Sequence, residues 1–166
     1  MIGVSKATPT FAEAREVLQS LHDPEIPVLS LMELQVIRNF IVEGGRVTVD
    51  MTPTFLGCPA LEYMKNEIRE KLLAAGFEEV VINLQLSPPW STDLLTPEVR
   101  EKLRSFGIAP PEPRQQSLQE TLKRPVECPF CGSFATRLES PFGPTLCRQI
   151  YYCDQCRQSF ERFKPL

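Results

Sequence analysis

The last part of the chain carries two matched pairs of cysteines, Cys128-Pro129-Phe130-Cys131 and Cys153-Asp154-Gln155-Cys156. Each pair can hold one side of a metal ion, and residues 132–152 are enough for a hairpin that brings the pairs together. This spacing predicts a closed tetrahedral site of four thiolates. We expect structural zinc, because paired knuckles across a hairpin are typical of a zinc ribbon. The alternative is an iron–sulfur cluster, which also takes four thiolates.

A fifth cysteine, Cys147, lies between the two pairs. If Thr145 to Tyr152 is a strand, Cys147 lies about 20 Å from Cys153 and cannot bind the same ion. It is then a thiol outside the site, either buried or available for transient chemistry. If the stretch is a loop, Cys147 can replace a ligand or join a cluster.

The sixth cysteine, Cys58, ends the segment Thr52-Pro53-Thr54-Phe55-Leu56-Gly57-Cys58, and Pro59 then opens a predicted helix. The unpaired amides and the positive dipole end of a helix stabilise an anion placed there. A thiol at this point is therefore predicted to ionise readily and to act as a nucleophile or metal ligand, with the hydroxyls of Thr52 and Thr54 as neighbouring donors. The alternative is a small, buried residue at a helix cap.

Two further loops are predicted to meet the Cys58 loop. Asp23 and Glu25 follow the first predicted helix, and Trp90 follows the last strand of the same domain. Ligand sites in open α/β sheets lie outside the carboxyl ends of parallel strands. A thiolate, two carboxylates and an aromatic lid would form a site for a soft metal or a partner. Taken alone, Asp-Pro-Glu is usually a turn, and a single tryptophan is usually a core residue or a surface anchor.

The elements that must position these residues alternate between helix and strand. The capping box Thr10 to Glu13 opens the first helix, and Gly44-Gly45 marks a hairpin turn. The continuous apolar run of the last strand indicates burial on both faces and a parallel crossover. The predicted bounds are Thr10 to Pro24, Val36 to Val42, Arg46 to Thr52, Pro59 to Gly76, Val80 to Leu86 and Thr96 to Gly107. The predicted fold is α/β, a small mixed sheet of about three strands with helices, followed by a small all-β zinc ribbon.

Composition divides the 166 residues into an α/β domain (1–108), a proline-rich linker (109–125) and the ribbon (126–166). The net charge of −3 gives no general attraction to nucleic acid or anionic lipid. No apolar run is long enough to span a membrane, and the first residues lack the apolar segment of a secretory signal. We therefore expect a cytoplasmic protein whose cysteines are thiols or metal ligands.

Three segments resemble the motifs of the SufT-like iron–sulfur assembly domain family. They are Asp23-Pro24-Glu25-Ile26-Pro27-Val28, Thr52 to Pro59 and Pro88-Pro89-Trp90. With the ribbon added, including Phe142 to Thr145 and Phe160 to Lys164, the whole chain resembles the D subunits of phenylacetate degradation. The chain departs from the family at Glu33-Leu34-Gln35, where Asp-Leu-Gly is common, and a missing glycine could alter the turn into the first strand.

These D subunits are grouped with the multicomponent phenylacetyl-CoA epoxidase, a di-iron monooxygenase system with an iron–sulfur reductase. The resemblance implies that the chain assists maturation of that complex and is not itself the catalyst. Cys58 would be its reactive cysteine, holding iron or an iron–sulfur cluster transiently, with Asp23 and Glu25 as the acidic motif. The implied partners are the oxygenase or reductase subunit. The oligomeric state stays open, a homodimer included.

Two other functions compete with this one. The first is a thiol-dependent enzyme or a catalytic component of the monooxygenase. The chain has one histidine, which is too few for the ligand set of a di-iron site. A nucleic-acid-binding ribbon would be nearly uncharged, and four thiolates on one divalent zinc add negative charge, so phosphate attraction would be weak. We therefore rank the maturation role first.

Overall fold

The computed structural model describes residues 8–55, 57–112 and 125–166, so most of the predicted linker lies outside the described residues. The described chain forms two compact units. The first is built from residues within Met1–Pro53 and Pro59–Pro89, and the second from residues within Thr54–Cys58 and Trp90–Leu166.

The first unit has the predicted α/β fold with a mixed three-stranded sheet. Its sheet order is β1-β2-β3, with β1 antiparallel and β3 parallel to the central strand β2. The connection between the two parallel strands passes through α2, which confirms the predicted crossover helix. The bounds are α1 Phe11–Gln19, β1 Ile37–Glu43, β2 Arg46–Met51, α2 Leu61–Ala74 and β3 Glu79–Leu84.

The first helix begins where the capping box predicts. The Thr10 hydroxyl accepts a hydrogen bond from the Glu13 N–H at 3.3 Å, and the Glu13 carboxylate accepts one from the Thr10 N–H at 2.6 Å. This reciprocal pair satisfies two amides that have no partner inside the helix.

Burial alternates along β2, where Val47, Val49 and Met51 are buried and the residues between them are not. One face of the sheet is therefore covered, and α1 and α2, which contact each other, pack on it. The prediction that β3 is buried on both faces is wrong. It is an edge strand with partly or fully exposed residues, since an apolar run does not reveal how many faces the helices cover.

The predicted start of α2 at Pro59 is also wrong, because Ala60 is the N-cap residue and Leu61 the first helical one. Cys58 therefore precedes the N-cap by two residues. Ala60 makes no side-chain hydrogen bond to the helix, so no capping side chain fixes the start of α2.

The turn into β1 forms without the glycine that the family resemblance led us to expect. Gln35 has a left-handed φ of 57°, and its side-chain amide donates to the Met32 carbonyl oxygen at 3.1 Å. The Glu33 carboxylate accepts from the Ser30 N–H at 2.9 Å. The departure at Glu33-Leu34-Gln35 thus keeps the turn, with the backbone conformation that glycine adopts most readily.

The second unit is a four-stranded sheet of order β4-β7-β6-β5 together with the α-helix α3 and a short 3-10 helix, Thr92–Leu94. β4 is parallel to β7, and the other neighbouring strands are antiparallel. The Trp90 ring lies 5.7 Å from the Phe163 ring in its core. The bounds are α3 Pro97–Ser105, β4 Ile108–Ala109, β5 Thr136–Ser140, β6 Arg148–Cys153 and β7 Gln158–Phe163.

Apart from Thr54–Cys58, the two compact units divide the chain between residues 89 and 90, whereas the predicted domain boundary is at residue 108. The reason is the pairing of β4 with β7, which joins the α3 segment to the ribbon. The Thr92 N–H also donates to the carbonyl oxygen of Leu166 at 3.1 Å. Within the described residues, no helix has both the length and the apolarity needed to cross a membrane.

Candidate metal centre and the Cys58 loop

The four sulfur atoms of Cys128, Cys131, Cys153 and Cys156 lie within 4.8 Å of one another. The Sγ atoms of Cys128 and Cys156 are 3.7 Å apart, and those of Cys131 and Cys153 are 3.6 Å apart. A tetrahedron with zinc–sulfur bonds of 2.3 Å has sulfur–sulfur edges of about 3.8 Å. The four thiols therefore fit a zinc ion, and a complete set of four protein ligands is that of a structural site rather than a catalytic one.

The two knuckles repeat the same backbone geometry. The Gly132 N–H donates to the Cys128 carbonyl oxygen at 2.9 Å, and the Arg157 N–H donates to the Cys153 carbonyl oxygen at 2.8 Å. The residue after the second cysteine is left-handed in both, with φ of 73° at Gly132 and 59° at Arg157. Each turn thus presents its two thiols to the same point, and two similar turns complete the tetrahedron.

The pKa values of the Cys153 and Cys156 thiols are shifted in opposite directions. The backbone N–H of Cys156 donates to the Cys153 sulfur and lowers the pKa of Cys153 to about 7. Burial raises the pKa of the Cys156 thiol to about 12. The Cys156 thiol, which the other three cysteines also surround, thus keeps its proton at neutral pH until a cation replaces it. Zinc binding must therefore release protons, as expected when a divalent ion replaces thiol protons in a closed site.

Gly132 and Arg157 occupy equivalent left-handed positions after the two knuckles, so substitutions at these two positions form a matched stability test. Arg157→Gly is expected to stabilise the zinc-loaded protein by about 1 kcal/mol, because glycine adopts a left-handed φ without a Cβ clash. Gly132→Ala should destabilise it by about the same amount, although a methyl group there would meet only the Glu127 Oε1 atom at an ordinary 3.7 Å. Urea midpoints at fixed free zinc measure both, and shifts of the same sign would contradict the strain argument.

Cys147 is not part of the four-sulfur cluster. It directly precedes β6, and Cys153 ends that strand, so the two lie about 20 Å apart along the strand direction. Of the two alternatives that the sequence left open, the structure shows the strand, although it begins at Arg148 and not at Thr145. Cys147 therefore lies at the end of the ribbon away from the knuckles. The Thr145 hydroxyl lies 3.1 Å from the Cys147 sulfur.

Cys58 is half-buried, and its N–H donates to the Phe55 carbonyl oxygen at 3.1 Å in a tight turn. Thr54 is also half-buried, and both residues belong to the second compact unit. A methyl group placed on Gly57 would lie 3.8 Å from the Cδ1 atom of Leu146. This proximity to the ribbon was not predicted, because no local pattern links positions so far apart in the sequence.

The other predicted site residues are divided between the two compact units. Asp23 and Glu25 belong to the first unit, where the Asp23 carboxylate accepts hydrogen bonds from the N–H groups of Glu25 and Ile26, both at 2.8 Å. Thr52, in the same unit, is buried, and its N–H donates to the Val36 carbonyl oxygen at 2.8 Å. The Asp23 carboxylate thus shapes its own turn. Its predicted contribution to a site with Cys58 stays a prediction.

Trp90 belongs to the second unit and is 5% exposed, packed on Phe163. Its burial argues against the predicted aromatic lid and favours the core role that a single tryptophan usually has. In the sequence, the neighbouring Pro88-Pro89 does not distinguish a tryptophan in a lid from a tryptophan in the core.

Comparison with known proteins decides the family. The chain is 43% identical over 158 residues to an Escherichia coli (strain K12) protein named as the putative D subunit of 1,2-phenylacetyl-CoA epoxidase, covering 95% of this chain and 94% of the relative. The chain belongs to the family of phenylacetyl-CoA epoxidase D subunits. Residues 112–164 match the family profile described as the PaaD zinc beta ribbon domain, and residues 12–84 match the profile described as iron–sulfur cluster assembly protein.

Other proteins match a little more than half of this D-subunit family member. A "Fe-S protein maturation auxiliary factor" of Porphyromonas gingivalis (strain ATCC BAA-308 / W83) is 36% identical over 89 residues, covering 52% of this chain and 84% of the relative. A conserved hypothetical protein from Thermotoga maritima aligns with a TM-score of 0.51 and 25% identity, covering 59% of this chain and 97% of that structure. A domain of unknown function, DUF59, from Bacillus anthracis aligns with a TM-score of 0.50 at 20% identity, covering 55% of this chain and 89% of that structure, which confirms the α/β fold.

Proposed function

We propose that this protein is an accessory factor that helps load iron or an iron–sulfur cluster into the oxygenase or the reductase of a phenylacetyl-CoA epoxidase system. It acts in the cytoplasm, where its thiols stay reduced, and it is not itself the catalyst. The names of two relatives, an epoxidase D subunit and a maturation auxiliary factor, support this role, as does the iron–sulfur assembly profile.

The observation that carries the proposal is the separation of the thiols into two groups. Four of the six cysteines form the closed cluster, which has no open position for exchange. Cys58 lies outside that cluster, half-buried in a loop whose neighbours Phe55 and Gly57 are exposed. A thiolate in such a loop can bind ferrous iron or a cluster edge and pass it on, because its surroundings do not enclose the ion.

In this proposal, each part of the chain has its own role. Cys58 is the transient ligand of the cargo, with the Thr54 hydroxyl as a neighbouring donor. The zinc keeps the ribbon folded, since a domain of this size gains much of its stability from the metal. The ribbon docks the client subunit.

A comparison of cells with and without this protein tests the role. Cells grown on an aromatic acid are lysed, the proteins that co-purify with the tagged chain are identified, and the same partners are purified from cells lacking the gene. We expect an oxygenase or reductase subunit among the partners, with clearly less iron per chain when this protein is absent. Equal iron content in both preparations would overturn the proposal.

A further inference from the structure

A cavity of about 280 Å³ in the second unit is lined by residues of α3, β4 and β7 and of the segments that follow β4 and precede β5. Its charged lining residues are Arg100, Arg104, Arg162, Glu112 and Glu127. Three positive groups and two negative ones leave an excess of one positive charge, which favours a ligand with a single negative charge. Pockets for drug-sized ligands have volumes of roughly 300–1,000 Å³, so this cavity suits a small molecule.

Two of the three arginines are engaged by other parts of the second unit. Arg100 donates hydrogen bonds to the carbonyl oxygens of Thr92, at 2.7 Å, and Pro111. The Arg104 Nη1 atom lies 2.8 Å from the Glu127 Oε2 atom, so an acidic partner compensates its charge. Arg100 therefore connects backbone segments and Arg104 belongs to an ion pair.

Arg162 differs from both, because it is 2% exposed and its Nε–H group is buried with no hydrogen-bond partner within the described residues. Its Nη1 donates to the Tyr151 hydroxyl at 3.1 Å, and its guanidinium carbon lies 5.7 Å from the centroid of the Tyr151 ring. Its register partners are Ala109 on β4 and Gln149 on β6, whose buried Oε1 atom also lacks a partner in the described part of the chain. None of these contacts supplies a negative charge, and a buried charge without an opposite one is costly.

The uncharged part of the cavity lining is apolar. Ala109, Pro110 and Val126 belong to it, and so does Phe134, which is 57% exposed. An apolar group that covers this surface would be stabilised by the removal of both surfaces from water.

We propose that this cavity binds a small organic acid with an apolar body, and that the Nε–H group of Arg162 donates a hydrogen bond to the carboxylate of the acid. A carboxylate carries one negative charge and is planar, which matches the guanidinium group. Glu112 and Glu127 in the lining disfavour a more highly charged group such as phosphate. The acid site goes beyond the cargo role of Cys58 and does not depend on it.

A titration of the zinc-loaded full chain with benzoate tests the site, followed by proton–nitrogen NMR of the arginine Nε–H groups. We expect the Arg162 Nε–H resonance, identified by its loss in Arg162→Lys, to shift downfield, with a Kd on the order of 1 mM for an acid of this size. Benzamide has the same shape without the charge and should bind about 10-fold more weakly. Acetate lacks the ring and should also bind about 10-fold more weakly. An unmoved Arg162 resonance, or benzamide or acetate binding as tightly as benzoate, would overturn the proposal.

Arg162→Met tests the residue itself, because it removes the guanidinium group and keeps an unbranched side chain. We expect benzoate to bind about 10-fold more weakly or worse. Arg137→Met is the control, since it removes an exposed arginine of the ribbon that is not among the residues lining the cavity, and it should bind benzoate like the wild type. Zinc content and Trp90 emission report whether each variant is folded. Unchanged benzoate affinity in a folded Arg162→Met would overturn the site, and if that variant does not fold, the comparison of benzoate with benzamide on the wild type decides.

Discussion

Cys153→Ser is expected to release the zinc and to unfold the ribbon. Cys153 is fully buried at the end of β6, and a structural zinc contributes roughly 10–16 kcal/mol of apparent binding free energy in small zinc peptides. Metal analysis should fall from about one zinc per chain to none. The protein has one tryptophan, Trp90, buried in the core of the same unit, so its emission should shift to the red as the ribbon unfolds.

Cys147→Ser is the matched control for that prediction, because it removes a thiol from the same unit but outside the cluster. It should keep its zinc and its blue-shifted Trp90 emission. A strong chelator added to the wild-type protein should reproduce the effect of Cys153→Ser, and added zinc should reverse it. A Cys153→Ser protein that keeps both zinc and the buried emission would contradict the structural role, and iron absorbance in place of zinc would point to a cluster.

Cys58→Ser is expected to lower the iron content of the client subunit to the level found without this protein. Serine is close to cysteine in size, and Cys58 is half-buried in a loop, so folding stability should change by no more than about 0.5 kcal/mol. Only the soft ligand is lost. The measurements are iron per client chain in cells that carry the variant, and the thermal midpoint and zinc content of the purified variant.

Gly57→Ala is the control within the same loop. Its methyl group would make an ordinary contact with Leu146 at 3.8 Å, so client iron should stay at the wild-type level. Loss of iron loading in both variants would indicate that the loop acts through its shape. Normal iron loading by Cys58→Ser would show that the Cys58 thiol is not needed.

The sequence predicted those parts of the structure that depend on local patterns. The capping box at Thr10, the hairpin at Gly44 and the two knuckles all form, because each is specified by residues within a few positions of one another. For Cys147 the sequence left a strand and a loop open, and the structure shows the strand Arg148–Cys153. The family resemblance is confirmed by the Escherichia coli relative, which covers 95% of the chain, and by the two family profiles that match residues 12–84 and 112–164.

The parts that failed depend on contacts between distant residues. The apolar run of β3 looks like a buried strand, yet its place at the sheet edge is decided by pairing with β2 alone. The packing of Trp90 on Phe163 and the proximity of Gly57 to Leu146 bring together segments with no shared local signal. The left-handed φ at Arg157 could not be predicted for a different reason. Glycine, which adopts this conformation readily, follows only the first of the two knuckles, and an arginine follows the second.

The most direct test of the cargo role uses purified components and isotopically labelled iron. The zinc-loaded protein is charged with labelled ferrous iron under anaerobic conditions, mixed with the metal-free client subunit and separated from it, and the label in the client is counted. We expect the label to pass to the client from the wild-type protein and not from Cys58→Ser. Equal transfer by both proteins, or none by the wild type, would contradict delivery through Cys58.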